Sequence, residues 1–408
     1  MSRRTNSRIA QSKRGRLTRR DLLARAAGVV GAAATAPVAG QQSIDTTRRL
    51  GRGPNGLDQR SPFVTPRRDP SSTSSRTPLQ DLRGTITPAD LHFERHHGGV
   101  PEIDPGRYEL LVHGMVDRPT VFNLADLQRF PSTSRTCFLE CSGNLRRGGP
   151  ETPPQMVCGL TSQTEWTGVM LSALFAEVGA DPNATWFLAE GQDAAVMTRS
   201  IPTEKAFDDA MVVYAQNGDA LMPGNGYPAR LLLPGWEGNA SVKWLRRIEL
   251  ADQPFMTREE TSKYTDTLAD GTSRKWTWVM DAKSVVTSPS PQAPITHGHG
   301  PVVITGMAWT GHGKITRVDV SKDGGKTWET ARLAADSGDK ALVRFYLDTE
   351  WNGEEWFLQS RAMDETGYVQ PTKAQLREVR GLNSIYHNNC IQTWWVKPNG
   401  EAENVEVS

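Results

Sequence analysis

The stretch Cys137-Phe138-Leu139-Glu140-Cys141-Ser142-Gly143-Asn144-Leu145-Arg146-Arg147 decides how this chain is read. Arg135–Cys141 is strand-like, and Ser142-Gly143-Asn144 turns the chain, so the Cys141 thiol is presented at a strand end. Gly143 permits close backbone approach to a ligand. Arg146 and Arg147 bring positive potential that lowers a thiol pKa, and a thiolate is a soft ligand for a redox metal. On spacing alone two readings stand, a metal-ligating thiolate or a buried structural cysteine.

Outward from this turn the chain alternates short strands with few helices. Tyr108–His113, Thr185–Glu190, Ala210–Ala215, Ala229–Pro234 and Val242–Leu250 read as strands. Leu124–Phe130 and Leu171–Val178 read as short helices, the second closed by Gly179. This predicts an α+β domain over residues 81–284. Beyond Pro289 the pattern changes. Val302–Thr305, Lys314–Ser321, Thr327–Leu333, Leu342–Leu347 and Glu355–Asp364 are evenly spaced strands, with Asp323-Gly324-Gly325 as a hairpin turn. Residues 285–400 therefore read as an all-β, Ig-like sandwich. Two domains also suit a length of 408 residues.

The formal charge of +1 conceals an asymmetry: residues 1–80 hold 16 Lys and Arg against 4 Asp and Glu, leaving 31 against 42, a net of −11, beyond them. An acidic body disfavours nucleic acid, whose phosphates need clustered cations. Arg19-Arg20-Asp21-Leu22-Leu23, followed by Ala- and Gly-rich residues to Gly40, reads as a twin-arginine export signal over 1–40. The alternative is a basic disordered arm. Residues 41–80, rich in Arg, Ser, Pro and Gly, read as a disordered linker or extended arm. Gly51-Arg52-Gly53-Pro54-Asn55-Gly56 mimics a dinucleotide fingerprint but follows no strand and opens no helix. No apolar run approaches the ~20 residues of a membrane span, and no cysteine near residue 40 offers a lipid anchor. Cys137 and Cys141 would lie about 13 Å apart if extended, too far for a bridge; a link through Cys158 or Cys390 stays open. With no Cys-x-x-Cys-His, no covalent haem is expected.

The Cys141 turn resembles the cofactor loop of the sulfite oxidase family, in which one cysteine ligates molybdenum. Further segments resemble that family in order and spacing: Leu91-His92-Phe93-Glu94-Arg95-His96-His97, Glu165-Trp166-Thr167-Gly168, Gly226-Tyr227-Pro228-Ala229-Arg230, Val242-Lys243-Trp244-Leu245, and Tyr264. The resemblance implies a molybdenum–molybdopterin cofactor. Cys141 would be the metal ligand, Arg230 and Lys243 would hold the pterin phosphate, and His97 would contact the pterin. Arg95, Tyr264 and Arg146 would line the substrate pocket. A planar guanidinium suits sulfur oxyanions, and a tyrosine hydroxyl beside it can donate or shuttle a proton. On their own, Arg95 reads as a surface ion-pair partner, Lys243 as a solvated strand lysine and Tyr264 as a packing residue. His92, His96 and His97 lack the spacing of a zinc site, and His297 and His299 read as loop residues. Two departures stand out: Asn225 where vertebrate members carry a pterin-binding histidine, and Phe138 in place of a tryptophan.

Within the family the chain resembles the molybdenum subunits of sulfane dehydrogenases of the bacterial thiosulfate-oxidising (Sox) system. The residues that carry this are 87–97, Phe138–Asn144 and the tail from Asn383 to Trp394. This implies a periplasmic enzyme oxidising sulfane sulfur on a carrier-protein cysteine, with a c-type cytochrome as acceptor, in a homodimer or heterotetramer built on the C-terminal domain. A sulfite:cytochrome c dehydrogenase is the alternative, because Arg146 and Arg147 suit a small free dianion. A non-catalytic periplasmic binding module with a degenerate cofactor fold is a third.

Overall fold

Nine residues, Ser132–Glu140, sink progressively from solvent into the core, and they seed the first sheet. The structure is a computed structural model that describes residues 59–406 apart from 146–147, 269, 336–337 and 383–384. The export-signal reading therefore lies outside the described residues. Residues 65–408 form one compact unit and residues 1–64 another, of which only 59–64 are described.

In the first half the strands are β1 (Asp69–Pro70), β2 (Ser74–Arg76), β3 (Glu94–Arg95), β4 (Leu110–Gly114), β5 (Thr120–Phe122), β6 (Ser132–Glu140), β7 (Thr161–Met170), β8 (Trp186–Gly191), β9 (Thr198–Pro202), β10 (Met211–Gln216), β11 (Asp219–Ala220), β12 (Arg230–Leu232) and β13 (Leu245–Ala251). They form a small sheet β1-β2-β3 and two larger ones. One has the order β11-β10-β7-β6, with β12 paired to β10; the other is β5-β4-β13-β8-β9. β6 and β7 are antiparallel, with Cys137 opposite Thr164 and Glu140 opposite Thr161. The Leu171–Val178 helix buries Leu171, Leu174, Phe175 and Val178 in the core of this half.

A hairpin, β14 (Asp266–Thr267) and β15 (Ser273–Arg274), leads to the second half. There β16 (Lys283–Ser288), β17 (Gly300–Trp309), β18 (Ile315–Ser321), β19 (Glu329–Thr330), β20 (Arg332–Leu333), β21 (Val343–Trp351), β22 (Trp356–Asp364), β23 (Thr393–Val396) and β24 (Ala402–Val405) make two sheets, β16-β17-β21-β20 and β19-β18-β22-β23-β24. Trp309, Phe345, Trp356 and Trp394 fill the space between them, and Trp394 Nε1 donates to Val286 O across it (2.9 Å). This is an α+β domain followed by an all-β sandwich.

Three expectations change. The span 41–80 is not a free arm throughout: from Asp69 onward it is built into the fold. Thr77 and Leu79 are fully buried. Thr77 N donates to Gly159 O (2.8 Å), its hydroxyl meets Ser162 Oγ (2.6 Å), and Gln155 Nε2 donates to Arg76 O (2.9 Å). Backbone pairing orders a segment that lacks an apolar pattern. Thr327–Leu333 is not one strand, since β19 pairs with β18 and β20 with β21; the chain changes sheets at the buried Ala331. The strand expected from Val242 begins only at Leu245, because Trp244 takes a left-handed φ of 52°. The cysteines are unpaired. Among the described residues no helix is long and apolar enough to cross a membrane.

Candidate active site

β6 ends at the fully buried Glu140, which anchors the turn that carries Cys141. Its carboxylate takes Lys283 Nζ (2.5 Å) and Trp309 Nε1 (2.7 Å) from the C-terminal sandwich, and Asn144 Nδ2 (2.9 Å) from the turn itself. Cys141 N donates to Leu160 O (3.0 Å), and Asn144 N closes the turn on Cys141 O (2.9 Å). The thiol is thus bolted from both domains and faces a cavity of about 660 Å³, counted out to its open mouth. A Cβ on Gly143 would meet open space. Burial pushes the Cys141 thiol up from its ordinary pKa, while the Gly143 backbone hydrogen bond and the charge of Arg95 pull it down. A coordinated cation would supply the missing charge. Arg146 and Arg147 lie outside the described residues.

The same cavity is lined by Arg95, His97, Arg230, Lys243 and Tyr264, drawn from β3, β12 and loops more than a hundred positions apart. Five of the six described residues singled out in the sequence thus converge on the sixth, Cys141.

One end of the cavity is built for an anion. Arg230 is buried and donates to Asn225 O (2.9 Å) and Ser241 O (2.7 Å), with its guanidinium 5.3 Å from the Trp166 ring centroid. Lys243 Nζ donates to Gly224 O (2.9 Å) and Arg95 O (3.1 Å), meets His96 Nδ1 (2.9 Å) and lies 4.3 Å from the Trp244 ring centroid. Gly226, at φ 112°, sits between them; a Cβ there would come within 3.0 Å of Arg230 Cβ and 3.2 Å of Lys243 Cβ. Neither cation is ion-paired among the described residues. Burial depresses Arg230 to about 9. Burial, aided by the charge of Arg230, depresses Lys243 to about 7. Lys243 is no solvated surface lysine. Two buried cations that no carboxylate contacts, with Glu94 and Asp193 acting on Lys243 only from farther off, are costly unless an anion arrives. His92 Nε2 and Asn225 Oδ1, on the same wall, are buried and without partners. Burial, opposed by its bond to Phe93 O, holds His92 neutral, near 3. A phosphate for the cations and a polar heterocycle for the two orphaned atoms fit this wall. Asn225 is the departure noted above, and its side-chain nitrogen is taken by Phe93 O (3.1 Å), which leaves the oxygen facing the cavity.

At the mouth, Tyr264 Oη lies 3.3 Å from His97 Nε2, and its backbone is left-handed at φ 36°. Arg95 is half-buried with its guanidinium donating to His96 O. Behind Tyr264 stands a cluster of which no motif announced Arg199, Glu237 or Glu260, while His387 lies in the Asn383–Trp394 tail that carries the resemblance. Its members are scattered through the chain. The available signal was a charge set inside an apolar strand, as in Met197-Thr198-Arg199-Ser200-Ile201.

Residues 97–259 match the oxidoreductase molybdopterin binding domain, and residues 274–394 the Mo-co oxidoreductase dimerisation domain. Sulfite oxidase of Gallus gallus is 33% identical over 338 residues, covering 74% of this chain and 72% of that protein. The NADH nitrate reductase of Solanum lycopersicum is 31% identical over 366 residues, but the chain spans only 39% of that protein's length. The crystal structure of the sulfane dehydrogenase SoxCD from Paracoccus pantotrophus superposes with a TM-score of 0.84 at 51% identity, covering 90% of this chain and 98% of that one. Fold and site therefore define a molybdopterin-dependent oxidoreductase with a C-terminal dimerisation domain. The chain belongs to the sulfite oxidase family of sulfur oxidoreductases and is an enzyme, which sets aside the reading as a non-catalytic binding module.

Proposed function

We propose that this enzyme oxidises sulfane sulfur carried on the cysteine of a carrier protein and passes the electrons to a c-type cytochrome. We place it in the periplasm, reached by the twin-arginine route, as a homodimer or a heterotetramer with the cytochrome. The observation that carries this reading is the 51% identity to a sulfane dehydrogenase across nine-tenths of the chain. When bound, molybdenum–molybdopterin supplies the two-electron redox centre at which sulfur gains oxygen.

In this reading Cys141 ligates the metal, Arg230 and Lys243 hold the pterin phosphate, and His97 contacts the pterin from its rim. Arg95 offers fixed donors to an anionic sulfur terminus. The Tyr264 hydroxyl, hydrogen-bonded towards His97 Nε2, can pass a proton outward. Such an exit is needed because each oxygen atom gained from water releases two electrons and two protons. Arg146 would add a further cation. Sulfite is the second substrate reading, favoured by the paired arginines after Asn144.

The test compares cytochrome c reduction with a persulfidated carrier protein and with free sulfite. The carrier is expected to be the better substrate by kcat/KM. Efficient oxidation of sulfite alone would overturn the assignment.

A further inference from the structure

Arg199, on β9, is 1% exposed, and its guanidinium bridges two buried carboxylates. Nε donates to Glu260 Oε1 (2.9 Å) and NH2 to Glu237 Oε1 (2.9 Å). The guanidinium carbon lies 5.1 Å from the Tyr264 ring centroid. NH1 is buried and has no hydrogen-bond partner.

The two carboxylates belong to different walls of the site. Glu260 takes the backbone N–H of Ser200 (3.1 Å) and of Thr257 (3.0 Å), which caps the Arg258–Thr261 helix. The carbonyl of Glu260 receives the hydroxyl of Thr265 (3.1 Å), the residue after Tyr264. This segment carries the substrate-pocket tyrosine. Glu237 takes Asn239 Nδ2 (2.9 Å) and His387 Nε2 (3.0 Å). Asn239 also donates to Ser142 Oγ (3.0 Å), and His387 N to Ser142 O (2.8 Å). Glu237 is therefore tied to the residue beside the metal-ligating Cys141.

We propose that Arg199 is a positioning residue of the reaction: it joins the Tyr264 segment to the Cys141 turn and so sets where the Tyr264 hydroxyl stands relative to the metal ligand. The geometry asks for arginine. A planar fork can serve two carboxylates and stack on a ring at once, whereas a lysine ammonium is a single point charge. The support is needed because the left-handed backbone of Tyr264 is disfavoured for a residue with a side chain and persists only where its surroundings over-determine it. The inference rests on the reading of Tyr264 as a substrate-pocket residue.

A double-mutant cycle with Arg199→Lys and Tyr264→Phe in the full-length, cofactor-loaded enzyme tests it, with molybdenum per chain as the loading control. Arg199→Lys is expected to lower kcat/KM by about tenfold or more when Tyr264 is present and by less than about threefold in the Tyr264→Phe background. Molybdenum content should be unchanged. In the cofactor-free protein, the near-ultraviolet circular dichroism removed by Tyr264→Phe should be reduced by Arg199→Lys as well. Should Arg199→Lys fail to fold, Glu260→Gln keeps the shape, weakens the clamp and is expected to show the same coupling. Equal fold-losses in both backgrounds, or an Arg199→Lys enzyme within about twofold of wild type, overturn the proposal while leaving Tyr264 in place. A fully active Tyr264→Phe enzyme removes the Tyr264 reading itself, and the proposal with it.

Discussion

Lys243 concentrates the charge problem of the cofactor-free cavity. Its ammonium is depressed to about 7 from an ordinary value of 10.5 by burial and by Arg230. Between those two values the unfolded chain holds a proton that the folded chain lacks, so this residue makes stability rise with pH in that window. Below about 7 both states are protonated and the full penalty is present. Urea unfolding of cofactor-free wild type and Lys243→Met at pH 7 and pH 9 checks this: the wild type should gain stability relative to the variant at the higher pH. A gap that does not change with pH removes Lys243 from the account. Cys141→Ser makes a separate prediction. The hydroxyl fills the same place but is a hard, neutral ligand, so cytochrome reduction should vanish while the urea midpoint stays near wild type. Full activity would refute the ligand assignment. Cys141, Arg95, Arg230 and Lys243 were legible because each sits in a short motif, and Tyr264 because of its place after Lys243 in the family order. Arg199 and Glu237 were not, and His387 was legible only as part of the Asn383–Trp394 tail, since the role of all three lies in a meeting of β9, the β12–β13 connection and that tail.

At the scale of elements, the decisive junction is the end of β6. Glu140 and Lys283, both essentially unexposed, join the first half of the chain to the sandwich directly behind the Cys141 turn. Removing one partner of such a pair leaves a buried charge uncompensated, at a cost of about 3–5 kcal/mol. Lys283→Met alone is therefore expected to lower the urea midpoint sharply and to reduce the molybdenum retained per chain. Glu140→Gln combined with Lys283→Met should recover part of the stability, because no buried charge is left unpaired, while the single amide oxygen can replace only one of the carboxylate's two contacts with Trp309 and Asn144. A single variant as stable and as well loaded as wild type would show that the pair does not hold the turn. Element identity was readable where periodicity was clean, as in the Leu171–Val178 helix. It failed where tertiary pairing overrode local pattern. β12 keeps only Arg230–Leu232 of the run Ala229–Pro234, and β1 and β2 arise in a polar stretch whose order comes from backbone hydrogen bonds.

At the scale of the whole molecule, the charge distribution bears on the electron acceptor. Residues 81–408 carry a net −11, and in the proposed reading a c-type cytochrome removes the electrons after each turnover. An acidic body steers a cationic partner over distances comparable to the Debye length, about 10 Å at 0.1 M salt, and raises the encounter rate more than the affinity. With a basic c-type cytochrome as acceptor, the kcat/KM for cytochrome should fall several-fold as ionic strength rises from about 10 to about 200 mM. An acidic c-type cytochrome should show the opposite slope. The kcat at saturating cytochrome should move little, because the interior groups around Cys141 are shielded from bulk salt. Stopped-flow reduction of the two cytochromes across that range measures all three quantities. Parallel slopes for basic and acidic acceptors would mean that the summed charge of the body plays no part in the encounter, and that recognition is confined to a local patch around the electron exit.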